Sequence, residues 1–185
     1  SSGKTTLANA LLAEIAATGD RVLVLEDTVE LQCAARDHVP LRTRAGVVSM
    51  TELVRSSMRL RPDRVVVGEV RGAEALDLIK VWGTGHPGGI ATIHAGSALG
   101  ALLRLEQLIL EVAVNPPRAL IAEAVNVVIH IAGRGRKRRI ENIARLNGFD
   151  GAGYRLADAL ETPFSETPSQ SDFSSPSLNH PGELP

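Results

Sequence analysis

Two unbroken apolar runs limit the fold more than any other feature: Arg21–Glu26 (RVLVLE) and Arg64–Val70 (RVVVGEV). Such β-branched runs with little alternation predict strands covered on both faces. Ahead of the first, Leu7, Leu11 and Ile15 recur every four positions, which predicts a helix over residues 5–18 with Gly19 placed to end it. Residues 27–48 show no clean period and are expected to be loop with short elements. Ser49-Met-Thr-Glu52 has capping-box spacing and opens a helix to about Leu60, where Pro62 stops it. A helix over 73–82 ends at Gly83, and Gly89–Ala95 (GIATIHA) reads as a third strand. Ser97 caps a long helix reaching about Val114, broken by Pro116-Pro117. A helix over 117–124 follows, then strands over 125–132, 138–146 and 154–157.

Strands alternating with helices imply an α/β fold with a mostly parallel sheet sandwiched by helices. Ligands in such sheets bind at the carboxyl ends of strands. The expected organisation is a core over 1–114, a helix and strand extension over 115–161, and a Pro/Ser-rich disordered tail over 162–185. The chain opens inside a motif, with no Met before Met50, and reads as a fragment lacking its N-terminal part.

Composition narrows the function classes. The net charge of −1 gives no general argument for nucleic acid or an acidic membrane surface, and no sequence-specific nucleic-acid binding is expected. With aromatics at 3%, a base-stacking face is not expected. One cysteine, Cys33, excludes an internal disulfide and a Cys-rich zinc site and fits a reducing compartment. No apolar run reaches the ~18 residues of a membrane span.

Gly3-Lys4-Thr5 is the second half of the phosphate-binding pattern G-x-x-x-x-G-K-[ST]. The glycine lets backbone N–H groups face phosphate oxygens, the lysine reaches the β- and γ-phosphates, and the Thr5 hydroxyl ligates Mg²⁺. The following helix adds its positive N-terminal dipole. Glu69 ends the second apolar run, where a carboxylate can orient or deprotonate an attacking water; the alternative is a pair with Arg71. Position 68 is Gly where an Asp is usual, so Mg²⁺ must recruit another acid, and Glu26, Asp27 and Glu30 close the neighbouring strand. His86 and His94 bracket the third strand among glycines and read as sensors of the γ-phosphate, with a zinc site as the rival. Arg59 and Arg61 precede the second run, as charge-neutralising fingers or as a solvated basic face. The turn carrying Arg134, Arg136, Lys137, Arg138 and Arg139 is basic, either solvated or against anionic lipid or DNA.

The segments SSGKTT, VLEDTVEL, RLRPDRVVVGEVRG and TGHPGGIATIHA, in this order and spacing, resemble the secretion ATPases of the type II/type IV superfamily, with the closest similarity to the TrbB group of conjugative-transfer ATPases. The resemblance covers residues 1–157. It implies a RecA-like P-loop core in a hexameric ring on the cytoplasmic face of the inner membrane, powering DNA transfer or pilus assembly through a type IV secretion channel. Carried over by match, Ser2, Gly3, Lys4, Thr5 and Thr6 would hold ATP and Mg²⁺. Glu26 would help organise the metal and water, and Glu69 would be the catalytic carboxylate. His86 and His94 would sense the γ-phosphate, and Arg59 or Arg61 would act across a subunit boundary. Two alternatives stay open: a pilus assembly or retraction ATPase of the same superfamily, and an inert interaction fragment. The sequence departs from the family at Gly96, where Asn is usual, and in its tail.

Overall fold

The computed structural model describes residues 2–161, so Ser1 and the Pro/Ser-rich tail lie outside the described residues. The chain begins with α1 (Lys4–Ile15) and β1 (Val22–Glu26), followed by β2 (His38–Arg42). Next come α2 (Met50–Ser57), continued by a 3-10 turn over Met58–Leu60, then β3 (Arg64–Val67), α3 (Glu74–Gly83), β4 (Ile90–Ala91) and α4 (Ala98–Ile109). The last elements are α5 (Arg118–Ala124), β5 (Val127–Ala132), β6 (Arg139–Phe149) and β7 (Tyr154–Asp158). The first four strands form one parallel sheet in the order β2-β1-β3-β4, and the last three form an antiparallel sheet in the order β5-β6-β7.

Both apolar runs are strands, and their alternation builds the layers. Val22, Val24 and Val66 pack with Ala8 and Leu12 of α1 on one face. Leu23, Leu25, Val65 and Val67 point the other way, into a larger core with Leu53 and Val54 of α2, Leu78 and Ile79 of α3, and Leu102 and Ile109 of α4. The fold is therefore α/β, a parallel sheet between helices. The Ser49–Glu52 capping box forms: the Glu52 N–H donates to Ser49 Oγ and the Ser49 N–H to Glu52 Oε2 at 2.7 Å.

The structure differs from the sequence expectation at both sheet edges. Residues 38–42, within a stretch expected to be loop with short elements, form β2, whose side chains alternate between exposed and half-buried. Its Pro40 is tolerated because an edge strand leaves one row of backbone groups unpaired. The expected strand over 89–95 is only two residues long; beyond Ala91 the chain leaves the regular ladder, and Thr92 Oγ1 donates to the Gly68 carbonyl at 2.6 Å. Gly89 sits where the indole of Trp82 donates to the Val65 carbonyl at 3.1 Å. A Cβ at position 89 would lie 2.0 Å from Trp82 Nε1 and 2.5 Å from the Val65 oxygen. Gly89→Ala is therefore expected to destabilise the protein by about 1–3 kcal/mol, the usual cost of forcing a methyl group into a packed site. A urea midpoint unchanged by the substitution would contradict this.

The antiparallel sheet shares the main core through Leu146 and through Ile121 of α5. One polar tie crosses the same junction. Glu106 of α4 is buried, and its Oε1 accepts from Arg118 Nε at 2.9 Å and from the Tyr154 hydroxyl at 2.8 Å. Its Oε2 accepts from Arg118 Nη2 at 2.9 Å. Burial pushes this carboxyl up, but the bonds from Arg118 and Tyr154 outweigh it and hold it below the usual glutamate value. Burial and the adjoining carboxylate together push the Tyr154 phenol well above its ordinary value.

Candidate functional site

The carboxyl ends of β1 and β3 open into a pocket together with the start of α1. Gly3 stands at the N-cap of α1 with φ +96°, a conformation that glycine adopts without the cost other residues incur. No side chain caps this helix, and its first turn holds no acid. Lys4 Nζ lies 3.4 Å from both ring nitrogens of His94. His94 Nε2 in turn lies 3.0 Å from Glu69 Oε1. Arg71 Nη2 donates to the other oxygen, Glu69 Oε2, at 2.6 Å, and Arg71 Nη1 lies 3.8 Å from Asp27. The hydrogen bond from Arg71 holds the Glu69 carboxyl below the usual glutamate range despite its partial burial, with the charges of Arg71, His94 and Lys4 adding to the effect.

Local sequence explains how these groups are held. Glu26 closes β1 and is buried, and its Oε1 accepts from the N–H groups of Glu30 at 2.9 Å and Leu31 at 2.7 Å. It thereby folds the acidic loop back over the sheet. Asn9 lies four residues after Thr5, hence on the same face of α1. Asn9 bonds the Glu30 carbonyl and the Gln32 N–H, which fixes the loop against the helix. Glu30 is thus brought to Thr5, whose hydroxyl donates to Glu30 Oε2 at 3.0 Å. Glu74, buried at the start of α3, accepts from the N–H groups of Arg71 and Gly72 and fixes the loop that carries Arg71. A Cβ at Gly68 would stand 3.4 Å from Glu26 Cγ, so this position lies directly beside the Glu26 side chain.

Of the residues singled out from sequence, Ser2, Lys4, Thr5, Glu26, Glu69 and His94 line this pocket. Thr6 is exposed and does not line it. His86, Arg59 and Arg61 are not brought there either. His86 precedes β4 and His94 follows it, and the strand carries the chain from one end of the sheet's strands to the other. His86 and Arg61 line a separate cleft with Asp20, Asp63 and Arg64, at the opposite ends of the strands. Arg61 has φ +51°, unusual for a residue with a side chain. Sequence reasoning gave no site role to Arg71 beyond a partner for Glu69 and none to Glu30 beyond an available acid. The density of acids at 26, 27 and 30 was the signal for the latter.

Among the described residues, no cluster of three or more His, Cys, Asp or Glu groups is placed to hold a metal by itself. The donors beside the helix start are instead one hydroxyl and one carboxylate. Mg²⁺ is commonly held by one or two protein oxygens together with substrate phosphates, so this pair fits it. No helix among the described residues is long and apolar enough to cross a membrane.

Residues 1–145 match the family model described as type II/IV secretion system protein. The conjugal transfer protein TrbB of Rhizobium radiobacter is 50% identical over 156 residues, covering 83% of this chain and 48% of that protein. The type IV secretion system protein PtlH of Bordetella pertussis is 38% identical over 158 residues, covering 77% of this chain and 46% of the relative. The crystal structure of the VirB11 ATPase of the Brucella suis type IV secretion system, in complex with sulphate, superposes with a TM-score of 0.71 at 34% identity, over 78% of this chain and 45% of that one. The chain spans about half the length of the relatives it matches. With the family match running from the Gly3-Lys4-Thr5 turn through the acidic loop, Glu69 and His94 into β6, the chain belongs to the type II/IV secretion system protein family and resembles TrbB within it.

Proposed function

We propose that this chain carries the ATP-hydrolysing site of a TrbB-type ATPase that powers conjugative DNA transfer through a type IV secretion apparatus. The observation that carries the reading is the line Lys4–His94–Glu69, at the mouth of two parallel strands and beside the Thr5–Glu30 pair. The pocket they line has a volume of about 190 Å³.

Each residue has a task. Lys4 binds the β- and γ-phosphates, assisted by the uncapped start of α1. Thr5 and Glu30 would hold Mg²⁺, and Glu26 shapes the loop that presents Glu30. Mg²⁺ supplies charge neutralisation at the phosphate oxygens. Glu69, kept ionised by Arg71, accepts the proton of the attacking water. His94 contacts both Lys4 and Glu69, so it registers an anion that draws Lys4 away. In a hexameric ring at the inner membrane, Arg59, Arg61 and His86 would meet a neighbour's nucleotide, since Arg61 and His86 lie across the sheet from their own pocket. The relatives named for conjugal transfer favour this reading over a pilus motor.

Lys4→Ala is expected to weaken Mg-ATP binding by about 10- to 100-fold, the loss of a charge-assisted contact. Titration with a fluorescent ATP analogue measures this. An affinity within twofold of the parent protein would sink the proposed pocket.

A further inference from the structure

The hairpin between β5 and β6 reaches back to the beginning of the chain. Its 3-10 turn, Gly135–Lys137, delivers Arg138 onto the backbone of Gly3. Arg138 Cδ and Nη1 lie 3.4 and 3.5 Å from the point where a Cβ of residue 3 would stand, so the arginine side chain is in van der Waals reach of Gly3. The turn is tight: a Cβ at Gly133 would collide with the Lys137 carbonyl. Arg138 Nε donates to the Gly135 carbonyl at 2.9 Å, which fixes the guanidinium, and among the described residues no hydrogen bond engages its terminal nitrogens. Among the described residues Arg138 has no carboxylate partner, whereas the adjacent Arg139 is paired with Glu141 at 2.9 Å. Beneath it, the first turn of α1 has no capping side chain and no acid.

A guanidinium with no acid partner among the described residues thus lies beside Gly3, at the start of α1 and next in sequence to Lys4. Guanidinium groups match phosphate in a two-pronged geometry. Backbone N–H groups of such a loop cradle the α- and β-phosphates. We propose that Arg138 is a phosphate-binding residue of the nucleotide pocket, contacting the part of the polyphosphate that ATP and ADP share. This rests on the pocket assignment above. It adds the β5–β6 hairpin to the nucleotide site, so that occupancy is felt by the antiparallel sheet.

The test compares Arg138→Ala, Arg138→Lys, Arg136→Ala and Lys4→Ala by titration with Mg-ATP and Mg-ADP. Arg136 lies on the same turn and controls for lost charge. Arg138→Ala is expected to weaken ATP and ADP binding alike, by about tenfold, as for one charge-assisted bond. Arg138→Lys should recover part of the loss, and Arg136→Ala should change affinity less than twofold. If Lys4→Ala impairs binding while Arg138→Ala matches Arg136→Ala, the inference is wrong and the pocket stands. Tighter binding in Arg138→Ala would show a hairpin that obstructs the loop, which also overturns it. If Lys4→Ala has no effect, pocket and inference fall together. Arg138 is exposed, and circular dichroism melts of the variants separate lost binding from lost folding.

Discussion

Glu69→Gln is expected to lower the rate of ATP hydrolysis by about 10²- to 10⁴-fold, the range attributed to a positioned general base. Affinity for Mg-ATP should stay within a few-fold, because Lys4, Thr5 and the helix start are untouched. The substitution keeps the shape and one acceptor oxygen, so Arg71 retains a partner, but an amide cannot take the proton of water. The measurement is phosphate release at saturating ATP, beside binding of the same nucleotide. A turnover within threefold of the parent would remove Glu69 from the chemistry. Loss of binding together with turnover would instead make it a structural carboxylate of the pocket.

The second large effect concerns folding. Arg118→Ala strips two hydrogen bonds from the buried Glu106 and leaves its charge with Tyr154 alone. Breaking a buried ion pair from one side costs about 3–5 kcal/mol. Arg118 is half exposed, so water relieves part of this, and a loss of about 2 kcal/mol is expected. Adding Glu106→Gln should recover part of it, since the neutral amide is cheaper to bury unpaired. The pH dependence has a definite sign. The folded Glu106 carboxyl titrates below its unfolded value, so its stabilisation is complete above the ordinary glutamate pKa of 4.5 and is lost as pH falls through the folded value. The gap in Tm between parent and Arg118→Ala should accordingly narrow below pH 4.5. A gap that stays constant from pH 7 to about pH 3 would assign the effect to packing over Phe149, whose ring centre is 5.8 Å from the guanidinium.

Much of this architecture is legible in the sequence, for physical reasons that differ by element. β1 and β3 are legible because a strand buried on both faces must be apolar throughout. β2 is not, because an edge strand needs only one apolar face and accepts Pro40. The spacing of Lys4, Glu69 and His94 points to strand ends, and the structure gathers those three side chains. Bracketing β4 sends His86 and His94 to opposite ends of that strand, and His86 lines the other cleft. Glu30 and Arg71 depend on the paths of two loops. Those paths are set by carboxylates accepting backbone N–H groups, Glu26 in one and Glu74 in the other, and periodicity cannot report such bonds.

The shortness of β4 has a mechanical corollary. Only Ile90 and Ala91 are laddered to β3, and two further bonds at Thr92, from the Val70 N–H to its carbonyl and from its hydroxyl to the Gly68 carbonyl, secure the chain before His94. Three residues later Ser97 caps α4, accepting from the Gly100 N–H at 2.9 Å. His94 thus sits on a short tether between a rigid platform and a twelve-residue rod. Displacement of that imidazole therefore acts on a segment fixed on both sides, at Thr92 and at Ser97.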